Sequence, residues 1–326
     1  MTPSMDAGVL TGTVFAAADA TLRNSQHYEL FRSGRSARAD YHRLIESRAT
    51  DLRSAGVPAS DLPFLKRFPR RPWAGAEAIL ADLHRRDLLK ASAYDVAALQ
   101  HTAHMMADFV HGPFKTYIYP EEAILLGALA QICSPRRALF LGSYYGYWAH
   151  WAIPGIVAGG GRATLVDPDG QCCEIARHNL RNNGFADAVD VVAATGECFL
   201  ATTDERFDLV VLDAETPRDH PDPELRGKRV YRSLMQACLP RLTQGAMLVC
   251  HNILFADDTG DPAFAGIIGR NRDELGAFAA LAGRSFYPFV EYRTTEGVGI
   301  GRLSGTPGSG QWPIVAEIDL DADWPS

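Results

Sequence analysis

The sequence predicts an α/β protein: a doubly wound, mainly parallel seven-stranded sheet with an antiparallel terminal hairpin, preceded by a helical N-terminal domain. Three observations carry this expectation. From about residue 119 onward, short apolar runs alternate with helix-patterned stretches, the pattern of a parallel sheet covered on both faces. The last two runs are separated only by Arg293–Glu296, too short for a crossover helix, so those strands must pair antiparallel. Before residue 119 the apolar residues recur at helical spacing instead.

The elements follow in order. In residues 1–118, Tyr41, Leu44, Ile45, Ala49 and Leu52 share one helical face, as do Ala76, Ile79, Leu80 and Leu83. Ser92 with Asp95 reads as a capping box opening a helix that carries Leu99, Met106 and Phe109. Pro58, Pro63, Pro69 and Pro72 divide the region into separate helices. This first domain is expected to act as a lid, a substrate-selecting domain or the contact of a homodimer. In residues 119–326, strands are expected at Ala138–Gly142, Ala163–Asp167, Val189–Ala193, Leu209–Asp213, Ala246–His251, Phe286–Tyr292 and Gly297–Leu303. Helices lie between the first five. Pro288 cannot donate to a ladder, so it places the sixth strand at an edge or shortens its start.

At 326 residues the chain can bury a full core and carry an added domain. Its 47% hydrophobic and 22% charged residues are ordinary for a soluble globular protein. A formal charge of −7, with no Lys/Arg stripe, argues against a nucleic-acid partner. Lys66, Arg67, Arg70 and Arg71 form a small basic cluster, read as a solvated loop rather than a phosphate site. No apolar run reaches the roughly 18 residues of a membrane span. Met1–Ala20 lacks the basic segment of a secretory signal. The six cysteines form no Cys-x-x-Cys pair and mostly sit in apolar stretches. Buried free thiols in a cytoplasmic protein are expected. Cys172 and Cys173 fall inside a predicted helix, where a mutual disulfide would be strained.

The stretch from Ala138 to Arg177 carries the most chemistry. An apolar run ends in the turn Gly142-Ser143-Tyr144-Tyr145-Gly146, a helix pattern follows, and a second apolar run ends in Asp167. Strand, glycine turn, helix, strand and acid, with 25 residues from Gly142 to Asp167, form the layout of a ribonucleoside site. Glycine lets the backbone approach a ligand, and the acid accepts hydrogen bonds from ribose hydroxyls. The turn is not Gly-x-Gly-x-x-Gly, because Tyr144 stands where the second glycine would approach a pyrophosphate, so a dinucleotide is disfavoured.

The run Leu141-Gly-Ser-Tyr-Tyr-Gly-Tyr147 resembles the first motif of class I S-adenosylmethionine (SAM) methyltransferases, nearest the catechol and caffeoyl-CoA O-methyltransferase type. The resemblance covers roughly residues 115–303 and includes Glu174–Leu180, Phe207–Asp213, Leu239–Asn252 and the terminal hairpin. It implies a SAM-binding Rossmann-like domain that methylates an oxygen or nitrogen of a small molecule. It places Gly142, Ser143, Gly146 and their neighbours under the methionine and ribose of SAM, Asp167 on the ribose, Ala194-Thr195-Gly196 beside adenine, and Asp213 at the reaction centre. Tyr144 and Tyr147 serve either packing or the sulfonium.

Departures from the family pattern are equally informative. Phe140 stands where the first strand usually carries an acid, and Trp148 where a serine often holds the SAM carboxylate. Metal-dependent relatives chelate magnesium with an Asp after the fourth strand and an Asp-Asn pair after the fifth; here these are Asp213 and His251-Asn252. Imidazole rarely serves magnesium. A softer ion at Asp213, His251 and Asn252 stays open, but no resident metal is expected. The family's lysine base, three residues after the first Asp, is replaced by Thr216. His251 becomes the candidate base, or a hydrogen-bonded histidine at a strand end. The charged insert Glu215–Arg229 reads as solvated surface, a lid or a metal loop. His101, His104 and His111 read as mostly structural. Two alternatives remain beside methyl transfer: cyclisation of SAM to azetidine-2-carboxylate and methylthioadenosine, or SAM binding without catalysis.

Overall fold

The computed structural model describes residues 14–113, 118–256, 260–305, 308 and 314–321. The sheet is built from β1 (Arg137–Leu141), β2 (Arg162–Asp167), β3 (Val189–Ala193), β4 (Phe207–Leu212), β5 (Leu242–His251), β6 (Phe286–Tyr292), β7 (Val298–Leu303) and β8 (Ile314–Val315). Its order is β3-β2-β1-β4-β5-β7-β6-β8. The first five strands run parallel, and β7 pairs antiparallel with both β5 and β6. The sequence led to seven strands; the structure adds β8, which pairs with β6 only at Val290 and Glu291. Two residues are too few to show an alternating pattern. Pro288 falls where the β6–β7 register shifts, between Phe286 and Phe289, as its missing donor requires.

Strands β1, β4 and most of β5 are buried on both faces, which explains their unbroken apolar runs. One face is covered by α6 (Pro72–Arg85), α7 (Val96–Met105), α8 (Pro120–Cys133), α9 (Tyr147–Ala158) and α10 (Gly170–Asn182), whose buried side chains share a core with the sheet. The other face packs on α11 (Gly196–Thr202), α12 (Val230–Cys238) and α13 (Pro262–Ser285). Helices α1 (Val14–Leu22), α2 (Gln26–Arg32), α3 (Arg38–Ser47), α4 (Ala49–Ser54) and α5 (Leu62–Arg67) enclose a separate apolar cluster, joined by Tyr119. The helical region thus divides into a self-packed part and a part that belongs to the core of the sheet.

Several local expectations change. Asp95, not Ser92, caps α7, its side chain accepting from Ala98 N at 3.0 Å. His111 lies beyond the end of that helix, against the Phe109 and Tyr147 rings. Cys198 is exposed and Cys133 half-buried, while the other four cysteines are buried, all six as free thiols. The basic cluster is no solvated loop. Lys66 pairs with Asp261 at 2.6 Å and Glu46 at 2.8 Å, and buried Arg67 donates to the Arg293, Thr294 and Thr295 carbonyls. Among the described residues, no helix is long and apolar enough to cross a membrane.

Strand order reverses at β1, whose connection runs outward to β2 while β4 and β5 build the other side. Open α/β sheets bind ligands at that switch point, beyond the carboxyl ends of the strands.

Candidate active site

The turn after β1 must pass very close to the end of β4. A Cβ on Gly142 would sit 2.4 Å from the Asp213 carbonyl oxygen and 2.6 Å from Ala214 Cα, and its φ of +75° also demands glycine. Tyr144 and Asn252 adopt left-handed φ values of 49° and 53° without being glycine. Both line a cavity of about 810 Å³ at the switch point.

Asp167 ends β2 opposite this turn. Its Oδ2 accepts from Tyr144 N at 2.8 Å and its Oδ1 from Asp169 N at 3.0 Å. Each oxygen keeps a free lone pair. Burial raises the Asp167 pKa, opposed by these two amide bonds. Phe140, Tyr144, Tyr147 and Trp148 give the cavity an aromatic wall, and Ser143 Oγ is buried there without a hydrogen bond.

Of the expected cofactor residues, Gly142, Ser143, Tyr144, Tyr147, Asp167, Thr195 and Asp213 line the cavity. Gly146 and Ala194 do not: Gly146 is the left-handed N-cap of α9, and Ala194 N donates to the Asp167 carbonyl. Thr195 spends its hydroxyl capping α11, accepting from Cys198 N at 3.3 Å. The insert Glu215–Arg229 borders the cavity while most of its charged residues stay exposed: Glu215, Thr216, His220 and Leu225 line it, and Thr216 bridges to Gly227.

At the polar end, the three expected catalytic residues converge with four others. His251, only 2% exposed, has Nε2 3.0 Å from Glu122 Oε2 and 3.5 Å from Glu296 Oε2, with Nδ1 3.3 Å from Asp213 Oδ2. Burial alone would lower the His251 pKa. The Asp213 and Glu122 carboxylates outweigh it and hold the value well above 6.5. The two flanking carboxylates thus favour the protonated ring, in which both nitrogens donate.

Lys228 Nζ lies 2.9 Å from Asn252 Oδ1, 3.2 Å from the Tyr231 hydroxyl and 3.4 Å from Asp213 Oδ1. Burial pushes the Asp213 pKa up, but His251 and Lys228 prevail and hold it well below the usual range. Glu122 is fixed through Oε1, which accepts from Thr294 Oγ1 at 2.6 Å and Glu296 N at 2.8 Å. Its neighbour Glu121 accepts from Thr295 N at 2.9 Å, and burial with the Glu122 charge pushes Glu121 up to about 8. Burial likewise pushes Glu296 up to about 8, against the pull of His251.

Sequence reasoning missed Glu122, Lys228, Tyr231 and Glu296. The family's lysine position is empty in the motif, yet Lys228 from the insert reaches the same acid. Among the described residues, Glu122, His251 and Glu296 are the one group of metal-ligand type, their donor atoms all within 4.8 Å of one another. Asp213 and Asn252 instead share the Lys228 ammonium. Trp148 donates to the Glu122 carbonyl at 3.3 Å and lies 4.7 Å from the His251 ring, closing this end.

Residues 139–253 match the methyltransferase domain family. Over 95 residues the chain is 34% identical to polyamine aminopropyltransferase 1 of Pseudomonas aeruginosa, covering 28% of this chain and 32% of that protein. The chain thus spans about a third of the length of the curated relative it matches. It is similar to the O-methyltransferase of Bacillus cereus solved with SAH (S-adenosylhomocysteine), at 18% identity and TM-score 0.45, covering 70% of this chain and 97% of that one. An SAH-bound methyltransferase of Podospora anserina is similar at 17% identity and TM-score 0.49, covering 70% and 95%. The SAM-bound O-methyltransferase TomG of Streptomyces achromogenes is similar at 22% identity and TM-score 0.44, covering 65% and 92%. The domain match over residues 139–253 thus falls on the Rossmann-like sheet and the cavity at its switch point.

Proposed function

We propose that this protein is a SAM-dependent methyltransferase acting on an oxygen or nitrogen of a small molecule. The observation that carries this reading is Asp167, poised at the end of β2 opposite the Gly142 turn, on the rim of an aromatic-walled cavity. When bound, SAM supplies an electrophilic methyl group on a cationic sulfur. The residues present fit it. Asp167 has lone pairs free for ribose hydroxyls, and Ser143 Oγ is a buried polar atom that needs a partner. Tyr144, Tyr147 and Trp148 offer aromatic faces to a cation, worth roughly 0.5–2 kcal/mol.

The chain's residues orient and exclude rather than activate through a metal. Lys228 supplies a cation between Asp213 and Asn252, where metal-dependent relatives place magnesium. The Glu122–His251–Asp213 array holds the polar end in place through paired charges. Alignment of this kind lowers a barrier by several kcal/mol.

A second reading uses the same pocket. SAM cyclisation, giving azetidine-2-carboxylate and methylthioadenosine, is favoured by one observation. The N-terminal region reaches the polar end through Arg67, which donates to the 293–295 carbonyls. The likeness to an aminopropyltransferase, though it covers under a third of the chain, also keeps alkyl groups larger than methyl in view. One experiment separates the readings: purified protein with SAM alone, then with oxygen and nitrogen acceptors, nucleosides identified by mass spectrometry. SAH in proportion to a methylated acceptor supports methyl transfer. Methylthioadenosine from SAM alone replaces it with cyclisation, and tight SAM binding without either product leaves a binding protein.

A further inference from the structure

We infer that Glu274, on α13 outside the cavity, is a positioning residue for the reaction centre: it fixes the backbone at Lys228 and so keeps that ammonium between Asp213 and Asn252. The inference rests on the reading that Asp213, Lys228 and Asn252 belong to the reaction centre of a SAM-dependent enzyme.

The ammonium itself is the first observation. Lys228 carries three N–H donors and no acceptor. Three oxygens meet them: Asn252 Oδ1 at 2.9 Å, the Tyr231 hydroxyl at 3.2 Å and Asp213 Oδ1 at 3.4 Å. The carboxylate and the amide oxygen are ligands of the kind a hard divalent cation takes, and Lys228 Nζ engages both. A four-carbon stem is flexible, so side-chain contacts alone do not decide where this charge stands. The backbone that carries the stem does.

That backbone is gripped from α13. The Lys228 N–H donates to Glu274 Oε2 at 2.9 Å. Gly227 precedes it with a φ of +59°, and a Cβ there would lie 2.5 Å from the same Oε2. The carboxylate can close on the Lys228 amide only because position 227 carries no side chain. The Gly227 carbonyl in turn accepts from Thr216 N at 3.2 Å. The end of the insert is thus held between its own beginning and the helix. The Glu274 side chain is largely enclosed, and its Oε1 lies 3.8 Å from Arg218 Nη1.

The segment after β5 is held from the same helix. Asn271 donates through Nδ2 to the Leu254 carbonyl at 2.8 Å and lies 3.5 Å from the Asn252 carbonyl. Asn271 and Glu274, three residues apart, share one face of α13. That face therefore sets both the segment carrying Lys228 and the segment carrying Asn252. No side chain of α13 lines the cavity, yet the helix decides how the two meet.

The test reads the geometry at Asn252. Its side-chain amide signals are identified in proton–nitrogen correlation spectra as the pair lost in Asn252→Asp. Lys228→Ala gives their position without the ammonium. Glu274→Ala should move them toward that position. It should also let magnesium chloride raise the melting temperature by a few degrees, because the two oxygens become free for a cation. Glu274→Gln keeps an oxygen for the Lys228 amide and loses only the charge, so it should match wild type in both measurements. Gly227→Ala presses on the same contact from the insert and should move the signals as Glu274→Ala does. Asp273→Ala breaks the neighbouring ion pair with Arg229 and should leave them in place. Unmoved signals in Glu274→Ala overturn the inference. Equal movement in Glu274→Gln also overturns it, since charge rather than the bond to Lys228 would be the cause. Equal movement in Asp273→Ala does the same, since any weakening of α13 would suffice. If Glu274→Ala does not melt cooperatively, Gly227→Ala and Glu274→Gln decide by the same signals. Titration of wild type with SAH tests the SAM reading separately, and its failure leaves the Asn252 signals to decide the positioning role.

Discussion

Glu122 Oε2 lies 3.0 Å from His251 Nε2 across 129 positions of chain, tying the first turn of α8 to the end of β5. Both groups are buried, so the contact pairs two polar side chains away from solvent. Breaking such a pair by removing one partner costs about 3–5 kcal/mol. Glu122→Ala is expected to lose stability on that scale in urea unfolding. Glu122→Gln keeps an oxygen for Thr294 and Glu296 but removes the charge. In that variant the His251 pKa should fall by at least one unit, read from the imidazole resonances by NMR. An unmoved titration would show that Asp213 alone sets the histidine's charge.

Lys228 predicts a response to metal. Its ammonium occupies the space between Asp213 Oδ1 and Asn252 Oδ1. Lys228→Ala frees both oxygens and leaves Asp213 with one cationic neighbour. Magnesium or manganese should then raise the melting temperature of the variant by a few degrees while leaving wild type unchanged. Equal shifts in both proteins would mean that any ion binds elsewhere.

Asp167 and Thr195 should separate affinity from stability. Asp167→Ala removes the acceptor facing the cavity and is expected to weaken SAM binding at least tenfold by calorimetry. Thr195→Ala removes a helix cap, costing about 1 kcal/mol of stability, with SAM affinity nearly unchanged. If Thr195→Ala instead weakens SAM as strongly as Asp167→Ala, its hydroxyl leaves the cap to meet the ligand.

These contrasts show what the sequence could and could not reveal. The Gly142 turn and Asp167 were readable because a strand, a tight turn, a helix and a second strand are contiguous, and each leaves a local pattern. Strand boundaries followed from runs buried on both faces. Glu122, Lys228 and Glu296 leave no such trace. Acids at positions 121 and 122, in the first turn of a helix, look like ordinary complements of the helix dipole. Glu296 sits in a five-residue hairpin turn, and Lys228 in a charged insert. Only tertiary contact brings them to His251. The surroundings of His251 were hidden for the same reason: the carboxylates beside it come from other parts of the chain.

Glu291 offers a pH test away from that cluster. It is fully buried on β6, its Oε1 accepts from Phe255 N at 2.9 Å, and its Oε2 has no hydrogen bond. Burial pushes its pKa from 4.5 up to about 7, against the bonds and nearby arginines that favour its charge. Between those values the folded state holds a proton that the unfolded chain has released. Stability therefore falls as pH rises through this window. The contribution is complete below pH 4.5 and lost by about pH 7, amounting to at most about 3 kcal/mol. Glu291→Gln imitates the protonated form and keeps an oxygen for Phe255. Its unfolding free energy, subtracted from that of wild type at each pH, should change steeply between pH 4.5 and 7 and level off above it, favouring the variant at the alkaline end. Glu121 and Glu296 slope the same way in both proteins and cancel in the subtraction. A difference that stays flat across this range would mean that Glu291 is ionised in the folded protein, with its charge carried by the nearby arginines.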